Sequence, residues 1–248
     1  MTDRQKRLLN ALTDQGRIEV SALADLLGVS QVTVRKDLDA LGKLGLIRRE
    51  HGTAVLGSSD DLNSRLAYHY EQKKRIAKLA AASVQAGETV FIESGSCCAL
   101  LAEELALSGL GVTIVTNSAF IAGFLRSAPG VKVVLLGGSY QPASQVLVGP
   151  LVRICAGQFF VDKLFVGTDG FSTANGFTGS DMMRAEAVRA MRRQSSRAVV
   201  LTESRKFNSQ GVVPLLEVRE VSAVYTDEGI PEETERFLLD RGVAVLKA

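Results

Sequence analysis

Val29-Ser30-Gln31-Val32-Thr33-Val34-Arg35-Lys36-Asp37-Leu38 carries two patterns at helical spacing. Val34 and Leu38, continued by Leu41, share one face and must turn to a core. Val32, Thr33, Arg35 and Lys36 then point away from it, and Ser30 stands where an N-cap belongs. Just upstream, Leu23, Leu26 and Leu27 read as a helix capped by Ser21 and closed by Gly28, a residue suited to a left-handed cap. Further back, Thr2 with Gln5 forms a capping-box pattern before Leu8, Leu9 and Leu12, in a first helix that ends near Gly16. Two helices joined by a short turn containing Gly, the second presenting small polar and basic groups at its start, form the arrangement that enters a DNA major groove. Gln31 and Thr33 can bond base edges, Arg35 and Lys36 can reach guanine edges or phosphates, and Val32 can meet a thymine methyl.

After Gly45, residues 46–56 read as two short strands around a Gly turn, a wing beside the helices. Arg48, Arg49 and His51 are expected to lie along the phosphate backbone, which supplies affinity and not sequence choice. His51 is a backbone contact in this reading, because the chain has only one other histidine, His69. Cys97, Cys98 and Cys155 form neither a CxxC or CxxH metal pattern nor a disulfide framework, so no metal is expected and a reducing cytoplasm fits. The polar break Gly57-Ser58-Ser59-Asp60-Asp61 marks a boundary: a DNA-binding domain over 1–57, a linker over 58–72 and a larger domain over 73–248.

Charge follows that division. The net +2 means little as a total, but residues 1–57 hold 9 Lys+Arg against 7 Asp+Glu while the remainder holds 20 against 20. All the excess lies in the head. A chain of 248 residues with 46% hydrophobic content can build one sizeable core and a small second one, and no run approaches the roughly 18 apolar residues that span a bilayer. Aromatic residues make up only 6% and Gly is abundant at 23, a balance that fits aliphatic layers with glycines at strand-to-helix turns.

The larger domain opens with a helix over 71–86 that places Ile76, Leu79, Ala80 and Val84 on one side. Lys73, Lys74, Arg75 and Lys78 on it read as a solvated face, near enough to the boundary for a DNA or interdomain contact. Strand-like runs follow at 89–92, 112–115, 131–136, 163–166, 198–201, 223–225 and 243–246, with amphipathic helices at 99–106, 119–127, 182–193 and 232–239. This alternation predicts an α/β fold, a Rossmann-like, mainly parallel sheet covered on both faces, behind the winged helix-turn-helix head.

Ligands of such sheets bind outside the carboxyl ends of the strands, at helix N-termini whose N–H groups favour anions. Those ends carry Glu93-Ser94-Gly95-Ser96 followed by Cys97, then Asn117-Ser118, Gly137-Gly138, Asp169, and Lys206 beside Glu203 and Arg205. A phosphate on the Ser94-Gly95-Ser96 turn with Lys206 as counter-charge, and ligand hydroxyls held by Asn117, Asp169 and Glu93, is the expected site. Cys97 and Cys98 read as packing residues, since no histidine in the body stands ready to activate them.

The stretch from Val29 to Leu38, followed by Arg48, Arg49, His51, Gly52 and Ala54, closely resembles the head of DeoR-type bacterial repressors. The body resembles that family's sensor domain, itself similar to ribose-5-phosphate isomerase, through Lys73 with Ile76-Ala77, Ser94-Gly95-Ser96, Thr116-Asn117-Ser118, Gly137-Gly138, Phe165 to Gly170 and Lys206-Phe207. The resemblance implies a repressor of a carbohydrate or polyol operon that binds double-stranded operator DNA as a homo-oligomer, dimer or tetramer. It further implies release by a phosphorylated sugar or sugar alcohol. Neither a cofactor nor an enzymatic activity is expected. Glu93 stands where the family more often has Asp, Cys97 and Cys98 where Thr is common, Arg205 where Ser is usual, and Thr53 where a wing glycine is expected. A second reading, an isomerase-like enzyme with an accessory DNA-binding head, rests on Asp169, Glu203 and Lys206 as acid and base groups.

Overall fold

The computed structural model describes residues 2–43, 47–50, 52–55 and 62–248, and the chain divides into two compact units, Met1–Glu71 and Gln72–Ala248. In the first unit, α1 (Asp3–Gln15), α2 (Val20–Leu27) and α3 (Gln31–Lys43) accompany three short strands, β1 (Arg17–Glu19), β2 (Arg48–Glu50) and β3 (Thr53–Val55). Thr2 and Gln5 do form a capping box, and Gly28 closes α2 with φ 67° and ψ 35°. Ser21 is not the cap of α2: that helix begins at Val20, Glu19 holds the cap position, and the Ser21 hydroxyl donates to Glu19. Leu8, Leu9, Leu12, Leu23, Val34, Leu38 and Leu41 are buried at 0–2% exposure, each leucine worth about 1.5–3 kcal/mol relative to an exposed one.

The wing has a third strand that the sequence reading lacked. β3 pairs antiparallel with β2 and also with β1, which joins α1 to α2, so the wing is stitched back into the helical part. Helix α4 (Leu62–Ala67) occupies part of the stretch read as linker, and α5 (Tyr70–Ala81) begins within it.

In the second unit seven strands form one parallel sheet: β4 (Thr89–Ile92), β5 (Thr113–Thr116), β6 (Lys132–Leu135), β9 (Val161–Val166), β12 (Ser195–Leu201), β14 (Val221–Thr226) and β15 (Ala244–Lys247). Their spatial order is β15-β14-β12-β9-β4-β5-β6. The chain starts in the middle, builds outward through β5 to β6, then returns to the other side of β4. Helices α6 (Ser96–Leu107), α7 (Ala119–Phe124), α9 (Met182–Arg192) and α10 (Glu232–Leu239) connect strands of this sheet. Inner strands bury nearly every residue, as Leu164, Phe165 and Val166 do on β9, which is why they read as apolar runs. Lys163 on the same strand is buried only because Glu88 meets its ammonium at 2.6 Å.

Additional pieces decorate the sheet. A hairpin of β7 (Ser139–Gln141) and β8 (Val146–Val148) leads into α8 (Pro150–Ala156). An antiparallel trio of β10 (Gly170–Ser172), β11 (Gly176–Gly179) and β13 (Val213–Leu216) carries Phe171 and Phe177, and the Phe171 ring packs with those of Phe177 and of Phe207 in the 3-10 turn Ser204–Asn208.

Candidate functional site

Helix α3 has two unlike faces. Val34, Leu38 and Leu41 are buried, whereas Gln31, Val32, Arg35 and Lys36 are exposed, Val32 to 60%. The Ser30 hydroxyl accepts the Thr33 N–H at 3.2 Å and shares a 3.0 Å hydrogen bond with the Thr33 hydroxyl. Those two hydroxyls therefore serve the helix start, leaving Gln31, Val32, Arg35 and Lys36 as the outward groups.

The two acids of α3 are both taken up by ion pairs away from Arg35 and Lys36. Asp37 is 5% exposed and turns inward to accept from Arg4 and Gln5 of α1, and Asp39 pairs with Arg49 of the wing at 2.9 Å. The second pair ties wing to helix. The Arg48 side chain and His51 lie outside the described residues.

In the second unit, strand order reverses between β4 and β9, and the loops after these two strands meet there. A crevice at such a switch point is where doubly wound sheets take ligands. Glu93, the first residue beyond β4, holds the two loops together. Its carboxylate accepts from the Ser94 hydroxyl at 2.7 Å, the Gly95 N–H at 2.8 Å and the Gly167 N–H at 3.3 Å. A Cβ on Gly95 would stand 3.2 Å from both the Gly167 Cα and Glu93 Oε2, so a side chain there would press the two loops apart by a few tenths of an ångström. Gly95 is also the N-cap of α6, and having no side chain it makes no side-chain cap bond. Within the described residues, the N–H groups of Ser96 and Cys97 in that first turn donate no hydrogen bond.

Charged groups stand beyond the ends of β9 and β12. Asp169 accepts from the Ser180 N–H and hydroxyl at 3.0 and 2.7 Å and lies 3.9 Å from the Lys206 ammonium. Lys73 is not part of a solvated face. At 1% exposure it pairs with Glu203 at 3.6 Å, and Arg205 grips the same carboxylate through Nε and Nη2 at 3.2 and 3.3 Å. Burial lowers the affinity of Lys73 for its proton, and the charge of Glu203 opposes that effect. Burial likewise pushes the Cys97 thiol up to about 12, so it is a packed thiol and not a nucleophile. The spacing of Lys73 with Ile76, Ala77 and Ala80, all buried, is the sequence signal that places it inside.

The remaining rim residues lie at the ends of β5 and β6. Asn117 is 1% exposed; its Nδ2 donates to the Leu147 carbonyl at 3.0 Å, while its Oδ1 has no hydrogen-bond partner. Ser118 is fully buried and caps α7 by accepting the Ile121 N–H. Gly137 and Gly138 lead from β6 into the hairpin, where a Cβ on Gly138 would meet the Val148 carbonyl oxygen at 2.7 Å. Close packing thus accounts for Gly138, and helix capping for Ser118. Among the described residues no group of three or more His, Cys, Asp or Glu is placed to hold a metal ion, and no helix is long and apolar enough to cross a membrane.

Residues 4–60 match the sequence model of the DeoR-like helix-turn-helix domain, and residues 68–228 match that of the DeoR C terminal sensor domain. The HTH-type transcriptional regulator GolR of Listeria innocua is 29% identical over 98% of this chain and 97% of that protein. The glycerol-3-phosphate regulon repressor of Escherichia coli K12 is 28% identical, again over 98% and 97%. Among solved structures, ribose 5-phosphate isomerase A from Methanocaldococcus jannaschii matches 56% of this chain and 55% of that chain at 18% identity, with a TM-score of 0.43.

Proposed function

The chain belongs to the DeoR family of transcriptional regulators, and from that premise we propose that it represses a carbohydrate or polyol operon and leaves its operator when a phosphorylated sugar or sugar alcohol binds. It is a regulator and not an enzyme. The observation that carries the proposal is the outer face of α3. An apolar Val32 is left 60% exposed among Gln31, Arg35 and Lys36, a cost that contact with a base edge would repay. Arg49, fixed to α3 by Asp39, holds the wing in register for the phosphate backbone, with Arg48 and His51 in the same role.

For the effector, the uncapped start of α6 at the switch point supports a phosphate on the Ser96 and Cys97 N–H groups, with Lys206 as its cation. Asn117 Oδ1, buried without a partner, is an acceptor for a ligand hydroxyl, and Asp169 is a second. Glu93 shapes the site by joining its two loops. The protein acts in the cytoplasm as a homo-oligomer whose paired heads meet paired half-sites, and the effector favours a state in which those heads no longer fit. Tenfold release requires about 1.4 kcal/mol of coupling.

The full chain is used to select duplexes from a random pool, and sugar and polyol phosphates are then screened for a rise in melting temperature. A compound that raises it is expected to weaken binding to the selected duplex at least tenfold. A chain that selects no duplex, or a stabilising compound that leaves duplex affinity unchanged, refutes the corresponding half of the proposal.

A further inference from the structure

We infer that the groove between α8 and α9, with the apolar side chains on its banks, is the surface through which two copies of this chain join. This rests on the homo-oligomer proposed above and adds which face makes it.

The two helices pack against each other, and each keeps a second face away from the core. On α8, Val152 and Ala156 are buried, whereas Leu151 and Ile154 are 58% and 56% exposed. On α9, Ala185, Val188 and Met191 are buried, and Met182, Glu186, Arg189 and Arg193 recur on the opposite side at helical spacing. Met182 and Met183 are 64% and 41% exposed. The starts of both helices adjoin. A Cβ on Gly149, just ahead of α8, would stand 3.5 Å from Met183 Cε, and Gln141 of the preceding hairpin donates to Asp181, the N-cap of α9, at 3.2 Å. Large apolar side chains grouped in this way mark a contact surface, and Met and Arg are enriched where proteins meet.

Between the helices lies a cavity of about 340 Å³, lined by Pro150 and Arg153 on one side and by Glu186, Ala187, Arg189 and Arg193 on the other. Arg189 is committed to the Pro214 carbonyl at 2.5 Å. The side chains of Arg153, Glu186 and Arg193 make no hydrogen bond or ion pair with any described residue.

Open charges of both signs in one groove select the occupant. A phosphate or another polyanion satisfies the arginines and is repelled by Glu186, and a cationic partner does the reverse. A small zwitterion matches the charges but leaves Leu151, Ile154 and Met182 bare. A second copy turned about a two-fold axis meets every requirement, because an isologous surface is complementary to itself. It brings its Glu186 to Arg153 and Arg193 and its arginines to Glu186, and in the same step it removes the apolar banks from water.

The experiment uses the full chain without DNA, its mass followed by sedimentation over a range of concentrations at constant ionic strength. The wild type is expected to self-associate. Glu186→Arg alone, and Arg153→Glu together with Arg193→Glu, each set like charges across the two-fold axis and are expected to weaken self-association about tenfold or more. Mixed in equal amounts, the two reversed chains are expected to regain association close to that of the wild type, in a species containing both. Ile154→Asp is expected to weaken self-association as well, and it provides the test should the double variant not fold. An oligomer that none of these changes weakens overturns the inference, as does a mixture that associates no more tightly than its separate components. An unchanged mass together with a phosphate-induced rise in melting temperature that the reversed chains lose assigns the groove to a small anion and overturns it too. A wild type that stays monomeric at every concentration overturns the homo-oligomer itself.

Discussion

Asp37 stands between Lys36 and Leu38 on α3, and in the fold it turns inward to Arg4, so the outer face keeps its positive charge undiluted. Arg35 and Lys36 have no ion-pair partner among the described residues. Arg35→Ala is expected to cost about 1–3 kcal/mol of specific affinity without moving the melting temperature, as read by anisotropy on a selected and a scrambled duplex. Equal loss on both duplexes would demote Arg35 to a phosphate contact. Glu93 works through backbone geometry instead. Glu93→Ala strands the N–H groups of Gly95 and Gly167 and should lower stability in urea by about 1–3 kcal/mol. Cys97 gives a pH signature: its unfolded thiol ionises near 9.0 and its folded thiol near about 12, so the unfolded chain gives up a proton in that interval which the native chain keeps. Stability from this group is whole below the lower value and is lost as pH rises through the interval. Lys73, lowered by burial, acts in the opposite sense, so the effect is read as a difference. The melting-temperature advantage of wild type over Cys97→Ala should shrink between about pH 8 and about pH 10.5.

Among the elements, the turn from α2 to α3 depends on Gly28 for its backbone and not for space, since a Cβ there would meet nothing within 4 Å. Gly28→Ala is therefore expected to cost about 1 kcal/mol in chemical unfolding and Gly28→Asn less, because Asn tolerates the left-handed region. An equal cost for both would point to lost packing. The elements legible in the sequence are those whose signals are local and periodic. α3 announces itself through Val34, Leu38 and Leu41, and all seven strands of the parallel sheet through runs such as 89–92 and 163–166. β1 did not, because three residues, Arg17 to Glu19, acquire strand character only by pairing with β3 far along the chain. The β7–β8 hairpin and α8 are likewise short pieces whose apolar residues meet partners on other elements. At the rim, sequence placed Ser94, Gly95 and Asp169 at strand ends, but not the destination of each polar group. Glu93 turns out to face two backbone loops, Ser118 its own helix, and Lys73 the interior.

Across the whole molecule, the sheet order places β4 and β9 side by side, so the residues assigned to the effector converge from loops far apart in sequence. The head, by contrast, is assembled within one small unit, and among its described residues three cations are spent on internal ion pairs. Arg4 is committed to Asp37, Arg49 to Asp39, and Lys6 to Asp3 and Glu71. A head that neutralises few phosphates liberates few counterions, so by itself it binds weakly and with a shallow dependence on salt. In the proposed oligomer, tight binding then arises from tethering: once one head has landed, the second meets its half-site at a high effective concentration. An effector accordingly has no need to spoil the surface of α3. Putting the second head out of reach returns the complex to the grip of one head, and the salt slope at saturating effector should fall to about half of its value without it.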